Sequence, residues 1–273
     1  MTEKWRLIDS GPCSASYNMA LDDAIATFIR EGSRPPTLRL YGWDRASLSL
    51  GCFQDIDGID LSYCRERGIP VVRRPTGGRA VLHDRELTYS FSTLTDRGLF
   101  SKGLLDSYKR ISGALQLALS KGGIRSEARK EREKGRVLAG SPLCFQSSSF
   151  GEILADRKKL IGSAQKRWSN CLLQQGSIPY SHNMEEICRV FRMEGTAALK
   201  EFAGIMEIAP GLTEKEIRQM IRLAFEETFG VILARSDPSR EEVSLARELE
   251  REKYLQAGWN FCRQGGRKSN RSS

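Results

Sequence analysis

Apolar residues recur at helical spacing in residues 14–31, where Met19, Leu21, Ala24, Ile25 and Phe28 form a stripe and Ser14 or Ser16 can cap the start. Residues 103–120 repeat the pattern with Leu105, Tyr108, Ile111, Leu115 and Leu119. From about residue 184 the chain reads as helical, in segments 184–192, 195–202, 212–230 and 241–259. Thr213 with Glu216 makes a capping box for the third of these. Between the helical stretches the period falls to two. Residues 37–43 read as a strand, 46–51 as its hairpin partner, and 60–67 as a short helix. Asn18 and Asp22, four apart, share one face of the first helix and read either as surface polarity or as a brace for a neighbouring loop.

Residues 71–91 carry the densest signal: strand, turn, strand, turn, strand. Val71 and Val72 lead into Arg73 and Arg74, and Pro75-Thr76-Gly77-Gly78 supplies turn residues. Ala80, Val81 and Leu82 resume an apolar run. Leu87, Tyr89 and Phe91 then alternate with Thr88, Ser90 and Ser92. Two readings fit the glycine pair: an ordinary hairpin connector, or a bare backbone flanked by Arg73, Arg74 and Arg79 that receives an anionic or carbonyl group. Residues 125–136 are a mixed-charge run expected to be a solvated loop, or alternatively a lid or a docking surface. Order resumes in 138–145 and 150–156, then 159–167 and 172–178. Gly162 and Gly176, isolated in strand patterns, point to close backbone approach. The expected architecture is α+β, a mixed, largely antiparallel sheet with flanking helices and a helical C-terminal segment.

Composition narrows the function. The chain has 273 residues, 40% hydrophobic and 28% charged, as in soluble globular proteins. It has no apolar run near 18 residues, so no membrane partner is expected, and the first residues lack a signal-peptide pattern. A cytoplasmic location is the default expectation. Seven cysteines are spread singly without a CxxC pair, and His83 and His182 are the two histidines, so a metal cluster is not expected. The net charge of +9 favours acidic partners. The basic residues are scattered among acids and no standard nucleic-acid motif accompanies them. An acidic carrier protein satisfies the same electrostatics as nucleic acid. Neither a Walker loop nor a dinucleotide fingerprint is present.

Three separated blocks resemble the lipoate/biotin protein ligase-like family: NMALD (18–22), RRPTGGRAVLH (73–83) and RKKLIGSAQKR (157–167). Residues 41–54 and 172–178 fit as well. The resemblance implies one catalytic domain over 1–260, with 261–273 a basic, disordered tail. It also implies an acyl tunnel beneath the glycine turn, with Arg73, Arg74, Thr76, Gly77, Gly78, Arg79, Ala80, His83, Gly162, Ser163 and Ala164 binding substrate. Val81 and Leu82 line the tunnel or belong to the core. Lys159 is then the lysine that faces the acyl carbonyl. Cys144, in a Cys-Phe pair upstream, matches the nucleophile of the family's thioester-forming octanoyltransferases, with Lys159 lowering its pKa and stabilising the oxyanion. The activity implied is transfer of octanoate from octanoyl-acyl carrier protein to the lysine of a lipoyl domain, such as glycine cleavage H protein or a 2-oxoacid dehydrogenase E2, with no cofactor. The alternatives are an ATP-dependent lipoate–protein ligase and octanoyl transfer between carrier domains. His83 invites a general-base role, but its place at the end of the turn strand implies a structural or substrate-lining one.

Overall fold

The protein, seen in a computed structural model, is described at residues 2–96, 98–129, 151–193 and 201–262. In chain order the strands are β1 (Lys4–Cys13), β2 (Thr37–Trp43), β3 (Ser47–Leu50), β4 (Val71–Arg73), β5 (Val81–His83), β6 (Glu86–Leu94), β7 (Glu127–Ala128), β8 (Ile153–Ala155), β9 (Lys158–Arg167), β10 (Cys171–Pro179) and β11 (Ile232–Arg235). The helices are α1 (Ala15–Arg30), α2 (Leu61–Glu66), α3 (Leu104–Lys121), α4 (Met184–Val190), α5 (Ile205–Ile208), α6 (Glu214–Phe229), α7 (Arg240–Leu249) and α8 (Ala257–Phe261). The expected helix at 195–202, the segment 138–145 and the tail from residue 263 fall largely or wholly outside the described residues, as does 130–136 of the charged run.

Eight strands form the main sheet in the order β11-β1-β2-β6-β10-β9-β8-β7. The pairs β11–β1 and β1–β2 are parallel and the others antiparallel. The expected α+β class and sheet character stand. Two local expectations do not. Residues 37–43 and 46–51 are not a hairpin: β2 lies between β1 and β6, while β3 is the centre of a separate sheet, β4-β3-β5. The glycine turn is not a hairpin connector either, because β4 runs parallel to β3 on one side and β5 antiparallel on the other. The turn must therefore cross the end of β3, which brings Gly51 under it. A Cβ on Gly51 would lie 1.8 Å from the Gly78 carbonyl oxygen.

Helices cover both faces of the main sheet. On one face α3 and α6 bury Ile111, Leu115, Ile217 and Phe225 against Trp5, Leu87, Phe91 and Leu172. On the other, α1 packs with α7 over Ile8, Tyr41 and Cys171. The small sheet has its own core with α2 and α4. Capping chemistry sets the helix starts. Ser14 caps α1, and capping boxes Thr213–Glu216 and Ser239–Glu242 open α6 and α7. Glu242 also takes Arg6 of β1 in a two-pronged ion pair, so one buried carboxylate both caps α7 and ties it to the sheet.

The C-terminal segment reads as one helix over 241–259 but is broken. A π turn at Glu250–Tyr254 ends α7, and α8 turns back onto β4. Asn260 Oδ1 accepts from the Arg73 backbone N–H at 2.9 Å, and Trp259 Nε1 donates to the Arg73 carbonyl at 2.8 Å. β1 and β11 complete the sheet and are absent from the sequence expectation.

Candidate active site

A cavity opens between the glycine turn and the α1-facing side of the main sheet. Tyr41, Trp43, Thr88, Gln175 and Ser177 come from the sheet, Met19 from α1, and Ser49, Val81 and His83 from the small sheet. Arg74 enters from the turn, while Gly162, Ser163 and Ala164 close the cavity along β9. The register explains the last group. Ala164 pairs with Gln175 and Gly162 with Ser177, so small residues on β9 face polar ones on β10 across one pleated surface.

Two arginines shape the turn differently. Arg73 is fully buried and points away from the cavity. Its Nη1 donates to the carbonyls of Gly51 and Gln54, both at 2.6 Å, and its Nε to those of Trp259 and Asn260. Arg74 folds back over the turn, donating to the Gly77 and Arg79 carbonyls, both at 2.7 Å, and to Ser49 Oγ at 3.1 Å. Gly78 sits at φ +87°, and a Cβ there would meet Arg74 Nη2 at 2.8 Å. Only glycine combines that backbone angle with that contact. Thr76 is buried and donates to Gln175 Oε1 at 2.8 Å, fastening the turn to β10. Gly77 offers its carbonyl to Arg74, and Ala80 is buried core; neither lines the cavity, nor does half-buried Arg79.

Asn18 and Asp22 are no surface pair; both are buried. Asp22 accepts from Arg39, Tyr41, Ser90 and Gln175, and Asn18 holds Arg39 while donating to the carbonyls of Cys13 and Gly42. The NMALD block is thus the anchor of the cavity's sheet wall. Buried in this network, Tyr41 has its phenol pKa pushed well up by burial and by the Asp22 charge.

Lys159 is buried, and its Nζ lies 2.5 Å from Glu152 Oε1, also buried. A Cβ on Gly162 would stand 3.1 Å from Lys159 Cε and 3.5 Å from Nζ. Gly162 thus leaves the lysine's end adjacent to the cavity floor. Its β8–β9 hairpin has Asp156 and Arg157 at φ +49° and +63°, the two left-handed residues that a tight two-residue turn needs. Gly176 is the other close approach: a Cβ there would fall 2.2 Å from the Tyr89 ring. The Tyr89 hydroxyl is held by Ser163 and Gln174, and burial pushes its pKa up to about 12.

Cys144 lies outside the described residues. Burial pushes Cys64 up to about 11 and Cys171 to about 12, and raises Cys13 as well, so these three are held as neutral thiols. No metal-binding group of His, Cys, Asp and Glu occurs among the described residues, and no described helix is long and apolar enough to cross a membrane. The residues that sequence reasoning missed are Ser49, Glu86, Glu152 and Gln175. Each is a polar residue inside a strand or at its edge, with no local signal beyond its strand's alternation. Of the two apolar candidates, Val81 lines the cavity and Leu82 faces the small-sheet core.

The main sheet thus carries a cavity under an arginine-bound glycine turn, with a buried lysine on the adjoining strand. The chain belongs to the lipoyl protein ligase A/B catalytic domain family, whose model matches residues 14–225. It is 38% identical to Octanoyltransferase LipM of Moorella thermoacetica over 267 residues, covering 94% of this chain and 97% of that one. It is 36% identical to Octanoyltransferase LipM of Kyrpidia tusciae, covering 95% and 99%. Among solved structures, lipoate-protein ligase A bound with ATP superposes with a TM-score of 0.80 at 23% identity, over 96% of this chain and 99% of that one. A putative lipoate protein ligase from T. acidophilum with bound lipoic acid gives 0.79 at 23% identity, with the same coverage. These two establish the shared fold.

Proposed function

We propose that this protein is an octanoyltransferase of lipoate biosynthesis, moving octanoate from octanoyl-acyl carrier protein to a lysine of a lipoyl domain through a thioester on Cys144. The observation that carries the activity is the similarity to octanoyltransferases, 38% and 36% identical over 94% and 95% of this chain. Its lipoyl-domain acceptor, glycine cleavage H protein or a 2-oxoacid dehydrogenase E2, follows from that activity. The octanoyl chain occupies the cavity, with its carbonyl toward Gly162 and Lys159. The Cys144 thiolate attacks the donor thioester, a C–S bond forms, and the donor's thiolate leaves. The acceptor amine then attacks the new thioester, expels the cysteine sulfur and yields the amide. The two thioesters are close in energy, so no ATP is consumed. Lys159, a cation beside the carbonyl, stabilises the oxyanion in both halves. Glu152 keeps that cation in place.

The test is transfer itself. Octanoyl-acyl carrier protein, lipoyl domain and enzyme, without ATP, are expected to give octanoylated domain by mass spectrometry. Product that forms from free octanoate and requires ATP would make the protein a ligase instead.

A further inference from the structure

The cavity wall contains a series of hydrogen bonds that the acyl-transfer scheme above does not use. Glu86 opens β6 and is buried. It accepts from His83 Nδ1 at 2.8 Å, from Thr88 Oγ1 at 2.5 Å and from Ser177 Oγ at 2.7 Å. Burial pushes its carboxyl up, but the pull of His83 and these three hydrogen bonds outweighs it and holds the group below the usual carboxylate range. In the neutral ring, a proton on His83 Nδ1 facing Glu86 leaves Nε2 as an acceptor.

Nε2 lies 2.7 Å from Ser49 Oγ, so the serine hydroxyl donates to it. Arg74 Nη1 donates to the same oxygen at 3.1 Å. A hydroxyl has one proton and two lone pairs, so one lone pair of Ser49 remains for a donor in the cavity. Trp43 stacks on the imidazole at 3.9 Å and 12°, and its own Nε1 donates to Thr88, so the ring cannot turn out of line. Ser49 and His83 both line the cavity, with Glu86 behind them. Serine, imidazole and carboxylate thus stand in series, aimed at the space assigned above to the acyl group.

We propose that Ser49, His83 and Glu86 form a proton relay that accepts the proton shed by the acceptor amine as it attacks the octanoyl carbonyl. This inference rests on the octanoyl transfer proposed above. As the N–C bond forms, the nitrogen passes its proton to Ser49 Oγ, and the serine's own proton moves to His83 Nε2. The imidazolium is held by Glu86. The C–S bond then breaks, its electron pair leaves with sulfur, and the imidazolium proton passes to that thiolate. Atoms and charge balance with no further reactant.

A paired-nucleophile experiment tests this. The nitrogen of an alkylamine becomes a weakly acidic ammonium as it attacks and needs a positioned base, whereas the nitrogen of attacking hydroxylamine is far more acidic and gives its proton up to water. Octanoyl transfer to a lipoyl domain and to hydroxylamine is measured for wild type, Ser49→Ala and His83→Asn. The relay predicts a loss of about 100-fold with the lysine acceptor. The loss with hydroxylamine should be roughly tenfold smaller or less. Equal losses with both nucleophiles, or undiminished transfer to lysine, would overturn it. Ser49→Ala removes one hydroxyl from the wall without adding volume, so it carries the test if His83→Asn does not fold. A wild type inert toward octanoyl thioesters but active with octanoyl adenylate would sink the thioester reading alone, and the same comparison would then be run on the adenylate.

Discussion

Glu152, just before β8, and Lys159 of β9 carry opposite charges into the interior, where each would be costly without the other. Glu152→Gln removes the carboxylate from the buried ammonium. A stability loss of roughly 3 kcal/mol in urea unfolding is expected, in the range for breaking a buried pair. A loss below about 0.5 kcal/mol, the size of an ordinary surface substitution, would contradict the pairing. Glu86 makes a prediction about pH. Its folded pKa lies below that of the free side chain, so the unfolded state binds the extra proton in that interval and stability rises with pH there. Glu86 therefore contributes stability fully above the ordinary glutamate pKa, and that contribution is lost as pH falls through the lower folded value. Thermal melts of wild type against Glu86→Gln should converge as pH falls through the acid range; a constant gap would refute the assignment. The arginines at 73, 74 and 79 were visible in the sequence as a cationic group around a turn. Their division of labour was not, because a guanidinium that binds ligand and one that binds carbonyls look the same along a chain.

At the scale of elements, the glycine turn is a crossing of backbones. Gly51 lies beneath Gly78, while Gly77 has open space around it. Gly51→Ala must displace a backbone carbonyl and should cost about 1–3 kcal/mol, as overpacking does. Gly77→Ala should leave the melting temperature nearly unchanged. The reverse order in calorimetry would mean that the turn does not cross β3. Helices α1, α3 and α6 were legible because α1 and α3 carry an apolar stripe and α1 and α6 a cap signal. β6 was legible in part. Its alternation of Leu87, Tyr89 and Phe91 with Thr88, Ser90 and Ser92 does not announce that both faces are buried. The polar face is covered by α1 and the small sheet and helps to form the cavity wall. Pairing partners were not legible either: β3 and β4 are short, and nothing local says that β3 leaves the main sheet. β11 joins β1 across more than two hundred residues, a contact that no windowed pattern reports.

At the scale of the molecule, the family resemblance rested on blocks that the fold brings together. NMALD anchors the sheet wall, RRPTGG roofs the cavity and KLIGSA runs along its floor. The net charge of +9 acts over the whole surface. It should speed encounter with an acidic donor protein, and salt should undo this, since the screening length falls from about 10 Å at 0.1 M to about 3 Å at 1 M. The KM for octanoyl-acyl carrier protein is expected to rise with salt while that for octanoyl-pantetheine stays level; parallel behaviour would place the salt effect elsewhere. The thioester on Cys144 is the central claim. It is tested most directly by the intact mass of the enzyme after incubation with octanoyl-acyl carrier protein in the absence of ATP, beside Cys144→Ala. An octanoyl adduct on the wild type and none on the variant is the predicted result. An unmodified wild type, with Cys144→Ala still octanoylating a lipoyl domain, would contradict it.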